Sequence, residues 1–420
     1  MLSKEQLKQI FIDQKKSILK KPLGIEREIL TEINKKTKLP HIMVLTGLRR
    51  SGKSTLLRQI IKKHYQDNNF YYINFEDERL FNFNAENFNE MYEVLLELFG
   101  KQKTFFIDEI QNIENFELFV RRFYDNGFKF YITGSSAKLL SRELGTKLTG
   151  RHLNLIVTPF SFKEFLKFKK IDFSKKIIYN TEDKITLKKH FEEYLFKGGM
   201  PEFIKFNEKE ILTRIYEDII NKDIIVRYDV RNIIQLRELY QYLITNLANK
   251  FNYNNLNKIL GIKSPHTTKK FISHLVETYF IQIINKFDYS LKKQIKSEKK
   301  PYVLDNGFVS IIALKFTEDK GWLLENLVFN NINKDFEITY FEDKYECDFI
   351  LSKQKNIMQA IQVCWELTPE NKEREIKGLT TALKKFNLKQ GLILTKDQEY
   401  DFQKDNKRII VKPVWKWLLE

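Results

Sequence analysis

Cysteine is scarce in this 420-residue chain, which has only Cys347 and Cys364. Two thiols can neither staple a disulfide scaffold nor build a four-cysteine zinc site. No apolar run is long enough to cross a bilayer and no signal-peptide pattern is present, so the expected setting is the reducing cytoplasm, with no membrane partner. Internal repeats and low-complexity linkers are lacking as well. Apolar material is abundant: 42% hydrophobic residues exclude a disordered chain, and 420 residues suffice for two to four domains with real cores. The 35 phenylalanines read as core filling. Lys and Arg number 72 against 55 Asp and Glu, a formal charge of +17. The lysines are scattered over the whole length, so the excess reads equally as nucleic-acid affinity and as a lysine-biased composition.

The opening "MLSKEQLKQIFIDQKKSILKK" has the pattern of a basic amphipathic helix packed on the next domain; a transit peptide or a membrane-surface helix is the alternative. The most informative segment follows the apolar run "HIMVLT". Gly47, Leu48, Arg49, Arg50, Ser51, Gly52, Lys53, Ser54 and Thr55 spell G-x-x-x-x-G-K-S/T and lead into the helical pattern "TLLRQIIKKHY". Strand, glycine loop and helix are the context a phosphate-binding loop needs, because tight turns at the glycines aim successive N–H groups at phosphate oxygens. The helix N-terminus adds partial positive charge. Lys53 is expected to reach the β- and γ-phosphates of ATP, and Ser54 to ligate Mg2+.

From about residue 41 to 157, short apolar strands alternate with helix-length segments: "HIMVLT", "FYYINF", "TFFIDE", "FKFYITG" and "LNLIV". That alternation predicts an α/β fold with a parallel sheet covered on both faces. The pattern turns helical from about 160 to 231. Between 234 and 287 it reads as helix, turn, helix and wing, with Ser264 and Pro265 opening the second helix. This is a winged-helix pattern, whose second helix can lie in a DNA groove. "SLKKQIKSEKK", containing Lys292, Lys293, Lys296, Lys299 and Lys300, reads equally as a phosphate-binding wing and as a solvated loop. After about residue 300, strands and helices alternate again in a second small α/β domain. The expected domains are 1–25, an N-terminal helix; 26–165, the ATP-binding domain; 166–232, a helical lid; 233–298, the winged helix; and 299–420, the last α/β domain.

"TFFIDEIQN" ends a strand on Asp108 and Glu109. A carboxylate at that tip can hold magnesium, and the next one can polarise the attacking water. The blander alternative is an acidic turn, which the upstream phosphate loop makes less apt. Thr133, Ser135 and Ser136 sit at the next strand tip, where a hydroxyl can orient water or sense the γ-phosphate, or cap a helix. Arg151 lies just before the fifth strand, where an arginine can neutralise phosphate charge on a neighbouring subunit or serve as a surface residue. The first of these implies a homo-oligomer.

With "GLRRSGKSTLL", "FFIDEIQN", "TGSSAKLLSRELGTKLTGR", "PFSFKEFL" and "GGMPEF" in that order, the chain resembles a prokaryotic family of AAA+ ATP-binding proteins over about residues 20–420. The family carries a winged helix and a C-terminal domain like the PD-(D/E)xK nucleases. The resemblance implies a P-loop AAA+ parallel sheet of order 5-1-4-3-2, ATP and Mg2+ as cofactors, and hydrolysis. By motif position, Lys53 and Ser54 take the phosphate and magnesium roles, and Asp108 and Glu109 the metal and water-activating roles. Ser135 falls in the sensor segment and Arg151 at the arginine-finger position.

A nuclease of the C-terminal fold needs a helix glutamate, a strand aspartate and E-x-K on the adjacent strand. Glu325 and Asp348 supply the first two, but "AIQVCWEL" puts Gln362 and Cys364 where Glu and Lys belong. The reading is a degenerate nuclease site. Glu366, on the same strand face by alternation, and Lys372 or Lys377 from the next helix are the residues that would rescue it. Three functions follow: an ATPase coupled to DNA, a nucleotide-controlled switch that binds protein, and an ATPase-governed nuclease.

Overall fold

The computed structural model describes residues 2–134, 148, 150–174, 180–313 and 320–420. Two compact units divide the chain: Met1–Pro159 with Glu277–Tyr279, and Phe160–Val276 with Phe280–Glu420. Among the described residues, no helix is long and apolar enough to cross a membrane.

The first unit is built on five strands: β1 (Ile42–Thr46), β2 (Tyr71–Asn74), β3 (Thr104–Asp108), β4 (Lys129–Gly134) and β5 (His152–Ile156). Their order is β2-β3-β4-β1-β5, every neighbouring pair parallel. This is the 5-1-4-3-2 order that the family resemblance implies. β1 and β3 are buried at every position, because helices cover both faces. One face holds α1 (Lys4–Lys20), α4 (Phe88–Phe99) and α5 (Phe116–Asp125), which meet the strands through Phe11, Phe88, Phe105, Phe119 and Phe130. The other holds α2 (Ile29–Lys36) and α3 (Lys53–His64), packed through Ile33, Leu56 and Ile60. Phenylalanine does fill this core: Phe88 and Phe119 stack at 4.4 Å between ring centres.

The second unit begins with helices Phe162–Lys169, Thr181–Lys197, Pro201–Phe206 and Lys209–Asp218. Three more, Ile233–Thr245, Tyr253–Ile259 and Pro265–Glu277, lead into an antiparallel ribbon of β6 (Ile281–Asn285) and β7 (Lys299–Val303). Here one expectation fails. Within "SLKKQIKSEKK", Leu291–Lys296 is a short helix, and Lys299 and Lys300 belong to β7, where both are buried. A lysine in that position needs compensating negative charge, and Lys300 has it.

A six-stranded mixed sheet follows, in the order β12-β13-β11-β10-β9-β8. Its strands are β8 (Glu337–Glu342), β9 (Glu346–Lys353), β10 (Asn356–Val363), β11 (Gln390–Thr395), β12 (Tyr400–Lys404) and β13 (Lys407–Pro413). β8, β9 and β10 form an antiparallel meander, and β10 continues parallel into β11. Helix Lys372–Lys385 closes one face through Leu379 and Leu383. β10 ends at Val363, one residue short of Cys364, so strand alternation does not extend to Glu366, which is exposed.

Candidate functional site

The loop between β1 and α3 is shaped by its glycines. Gly47 has φ 140°, and a Cβ there would lie 2.2 Å from the carbonyl oxygen of Val157. Only glycine fits where the chain leaves β1 beside the end of β5. Gly52, at φ 101°, turns the chain into α3, which opens on Lys53. Arg50 also sits at positive φ, 61°, a conformation that costs a residue with a side chain roughly 1 kcal/mol or more.

Lys53 is 5% exposed. Its ammonium donates to the carbonyls of Gly47 at 3.1 Å and Leu48 at 3.0 Å, so it lies across the loop it follows. Behind the loop is a residue that sequence reasoning missed. Arg27, 4% exposed, donates to the carbonyl oxygens of Ser51 at 2.9 Å and Thr158 at 2.6 Å. Its backbone N–H donates to Gln59 of α3 at 3.2 Å, and the Gln59 amide donates to the Leu23 and Ile25 carbonyls. The guanidinium thus fastens the loop to the end of β5. No local pattern marks an arginine about twenty residues upstream of the loop, and only the fold brings it there.

Asp108 ends β3 next to this loop and is 3% exposed. One carboxylate oxygen accepts from the Thr133 hydroxyl, the other from the Tyr72 hydroxyl at 3.4 Å. Burial, followed by the charge of Glu109, raises the Asp108 pKa above the ordinary carboxylate range; bonds from Thr133 and Ser54 and the charge of Lys53 oppose the rise. Glu109 has φ 52°, its N–H donates to the Thr133 hydroxyl at 2.9 Å, and its carboxylate accepts from the Gln111 amide. Thr133 therefore holds both acidic residues, one through each of its hydrogen-bonding capacities. Thr55 accepts from Arg58 at 2.7 Å, and Arg49 lies 3.7 Å from Glu76. A cleft of 550 Å³ opens here, lined among others by Ser54, Arg58, Tyr72 and Asp108.

Lys53, Ser54, Asp108, Glu109 and Thr133 thus converge. Ser135 and Ser136 lie outside the described residues. Arg151 is not brought to this loop. It precedes β5 at the opposite edge of the sheet: its carbonyl accepts from Ile42 at the start of β1, whereas the loop follows Thr46 at the other end. Four strand steps at about 3.3 Å each separate the two edges. The Arg151 side chain pairs with Asp125 at 3.3 Å.

The second unit gathers the other predicted residues around a cation the sequence did not indicate. Glu325, on helix Gly321–Asn331, and Asp348, on β9, both bind Lys300, at 3.1 and 3.4 Å. Glu346 joins them at 2.5 Å, and the Tyr302 hydroxyl donates to Glu325 at 2.6 Å. Gln362 accepts from the Asp348 N–H at 3.4 Å and donates to Glu375 at 2.7 Å. Cys364 borders the same 830 Å³ cavity, its thiol pKa raised by burial and by the nearby Glu375. The two lysines considered as rescuers are engaged elsewhere. Lys377 pairs with Glu373 at 2.6 Å, and Lys372 lies over the rings of Tyr400 and Phe402.

Residues 39–166 match the AAA domain family, and residues 188–320 match a domain of unknown function, DUF8612. Over its whole length the chain is 36% identical to Uncharacterized protein MJ1544 of Methanocaldococcus jannaschii, covering 96% of that protein. An Uncharacterized protein of Haemophilus influenzae is 30% identical over 79% of this chain and 84% of its own length. Among solved structures, the Aeropyrum pernix ORC1 protein in complex with DNA aligns at 10% identity and a TM-score of 0.34, over 76% of this chain and 96% of that one, a superposition too loose to bear on function. The strand order, the loop between β1 and α3 and the match over residues 39–166 make the first unit a P-loop AAA+ domain, and the identity along the whole chain makes this protein a member of the family of MJ1544.

Proposed function

We propose that the first unit binds ATP with Mg2+ and hydrolyses it. The observation that carries this reading is the convergence of the Lys53 ammonium, the Ser54 hydroxyl and the Asp108 carboxylate beside a glycine-shaped loop. A cation, a neutral oxygen donor and a carboxylate form a donor set that suits a triphosphate with a divalent ion. Residues 47–55 hold the phosphates through backbone N–H groups and Lys53, and Ser54 and Asp108 hold the metal. Magnesium, when bound, neutralises phosphate charge in the transition state. Glu109 accepts the proton of the attacking water, and Thr133, bonded to both acidic residues, fixes their positions. Arg151, at the far edge of its own sheet, acts on a neighbouring subunit if it acts on phosphate at all, which calls for a homo-oligomer.

The ATPase is coupled to DNA through the second unit. Its three helices and ribbon have winged-helix order, and Lys258, Lys269, Lys270, Lys292, Lys293 and Lys296 are exposed on them. A second reading, a nucleotide-controlled switch that binds protein, is favoured by the exposed apolar side chains of Val226 and Ile234 in the same unit. ATP turnover measured with and without single-stranded, duplex and branched DNA separates the two. A DNA-stimulated rate that falls with salt supports coupling. A rate and a DNA mobility both unchanged at low salt leave the switch.

A further inference from the structure

The nuclease-like reading of the second unit calls for a divalent ion held by acidic side chains, and the residues present do not fit one. Where such an ion would sit, the Lys300 ammonium contacts one oxygen from each of three carboxylates: Glu346 at 2.5 Å, Glu325 at 3.1 Å and Asp348 at 3.4 Å. Lys300 is 2% exposed, and its backbone is fixed by pairing opposite Ile284 in the ribbon. The remaining acceptor capacity is largely taken. The second oxygen of Asp348 accepts from the Val363 N–H at 2.8 Å, and the second oxygen of Glu346 from Lys250 at 3.1 Å. Gln362 is neutral and tied to Glu375. Among the described residues, no three His, Cys, Asp or Glu side chains are arranged to hold a metal ion.

We propose that Lys300 is the resident cation of this pocket, a tethered ammonium standing permanently in place of a divalent ion, so that the cluster fastens the β6–β7 ribbon to the six-stranded sheet and cuts no phosphodiester bond. Glu346, partly exposed and paired with Lys250 as well as Lys300, is held below its ordinary pKa by those two cations, which leaves Glu325 and Asp348 to share Lys300 in the interior of the cluster. Burial, with mutual repulsion, pushes Glu325 and Asp348 above their usual range. Burial works against Lys300 as well, but the surrounding acidic groups outweigh it and keep the ammonium charged. A metal must therefore displace a lysine fixed in a strand and held by three carboxylates. This inference does not rest on the ATPase reading.

The test is Mn2+ binding to the nucleotide-free full chain, followed by the electron paramagnetic resonance of free Mn2+, for wild type, Asp348→Asn, Lys300→Ala and the double variant. Wild type and Asp348→Asn are expected to give the same titration. Lys300→Ala is expected to gain one site at least about tenfold tighter than any in wild type, lost again in the double variant. DNA incubated with wild type and Mg2+ or Mn2+ is expected to stay intact. A wild-type Mn2+ site abolished by Asp348→Asn, cleavage abolished by the same change, or a folded Lys300→Ala that gains no site overturns the proposal. If Lys300→Ala does not fold, the wild-type and Asp348→Asn titrations and the cleavage assay decide it: identical titrations with uncut DNA support it, and a difference sinks it.

Discussion

Lys53 in the first unit and Lys300 in the second are both buried ammoniums, yet different oxygens surround them. Lys53 donates to two loop carbonyls, which carry partial charge, and its charge acts on Asp108 at the neighbouring strand tip. Lys300 is enclosed by three carboxylates. The first arrangement sets the ammonium on the loop where phosphates are proposed to bind. In the second the cation already has its counter-charge. Burial of a lysine therefore does not by itself mark a binding site; the formal charge on its partners decides whether it attracts a ligand or holds the fold together.

The sharpest way to break this contrast is to remove each ammonium in turn. Lys53→Ala is expected to lower ATP turnover by about 10³-fold or more and to weaken nucleotide binding, with the melting temperature little changed, as read by coupled turnover and calorimetry. A variant that keeps near-wild-type turnover would remove the basis of the ATPase reading. Glu109→Gln separates binding from chemistry: turnover falls by about 10² to 10³-fold while ATP affinity stays within about threefold, as measured by fluorescent-nucleotide titration.

Lys300→Met should do the opposite of Lys53→Ala. We expect a loss of about 3 kcal/mol in denaturant unfolding, with ATP turnover preserved, because buried carboxylates lose their cation. The loss should shrink as pH falls and the carboxylates take up protons; a penalty independent of pH would mean that packing, not charge, explains it.

A further buried charge sharpens the picture of the second unit. Asp305 accepts backbone N–H bonds from Gly199 and Gly307, at 2.5 and 2.8 Å, yet burial pushes its pKa up to about 6. The folded protein then holds the proton more tightly than the unfolded chain, whose aspartates titrate near about 3.9. The stabilisation is fully present below the unfolded value and is lost as pH rises through the window from about 4 to about 6, by on the order of 2 kcal/mol. Thermal melts across that window should show the fall in wild type and flatten in Asp305→Asn. The smallest effect expected is on DNA. Reversing Lys269 or Lys292, both exposed, should lower the salt slope of binding by about 1 each, whereas reversing Lys300 should report on folding instead.

Much of the first unit was legible because its determinants are local. Apolar strands, a glycine loop and a helix start are contiguous in sequence, and Asp108 and Glu109 announce themselves at a strand end. Arg27 was illegible because its partners, Ser51 and Thr158, are far away in sequence and joined only by folding. Glu366 was misplaced because an apolar run does not show where a strand stops; β10 ends at Val363, and Glu366 lies beyond it, exposed. Lys299 and Lys300 read equally as part of a phosphate-binding wing and of a solvated loop, since composition carries no record of which lysine meets a carboxylate.

By itself, the sequence determined a five-stranded parallel sheet, the position of the phosphate loop at its tip and the acidic pair beside it, because strand period, glycine placement and helix starts are properties of neighbouring residues. Only the tertiary structure decided which buried lysine lies against loop carbonyls and which is enclosed by carboxylates. That outcome depends on carboxylates brought to Lys300 of β7 from β9 and from the helix Gly321–Asn331, and the electrostatics of a buried ion is set by what surrounds it in space.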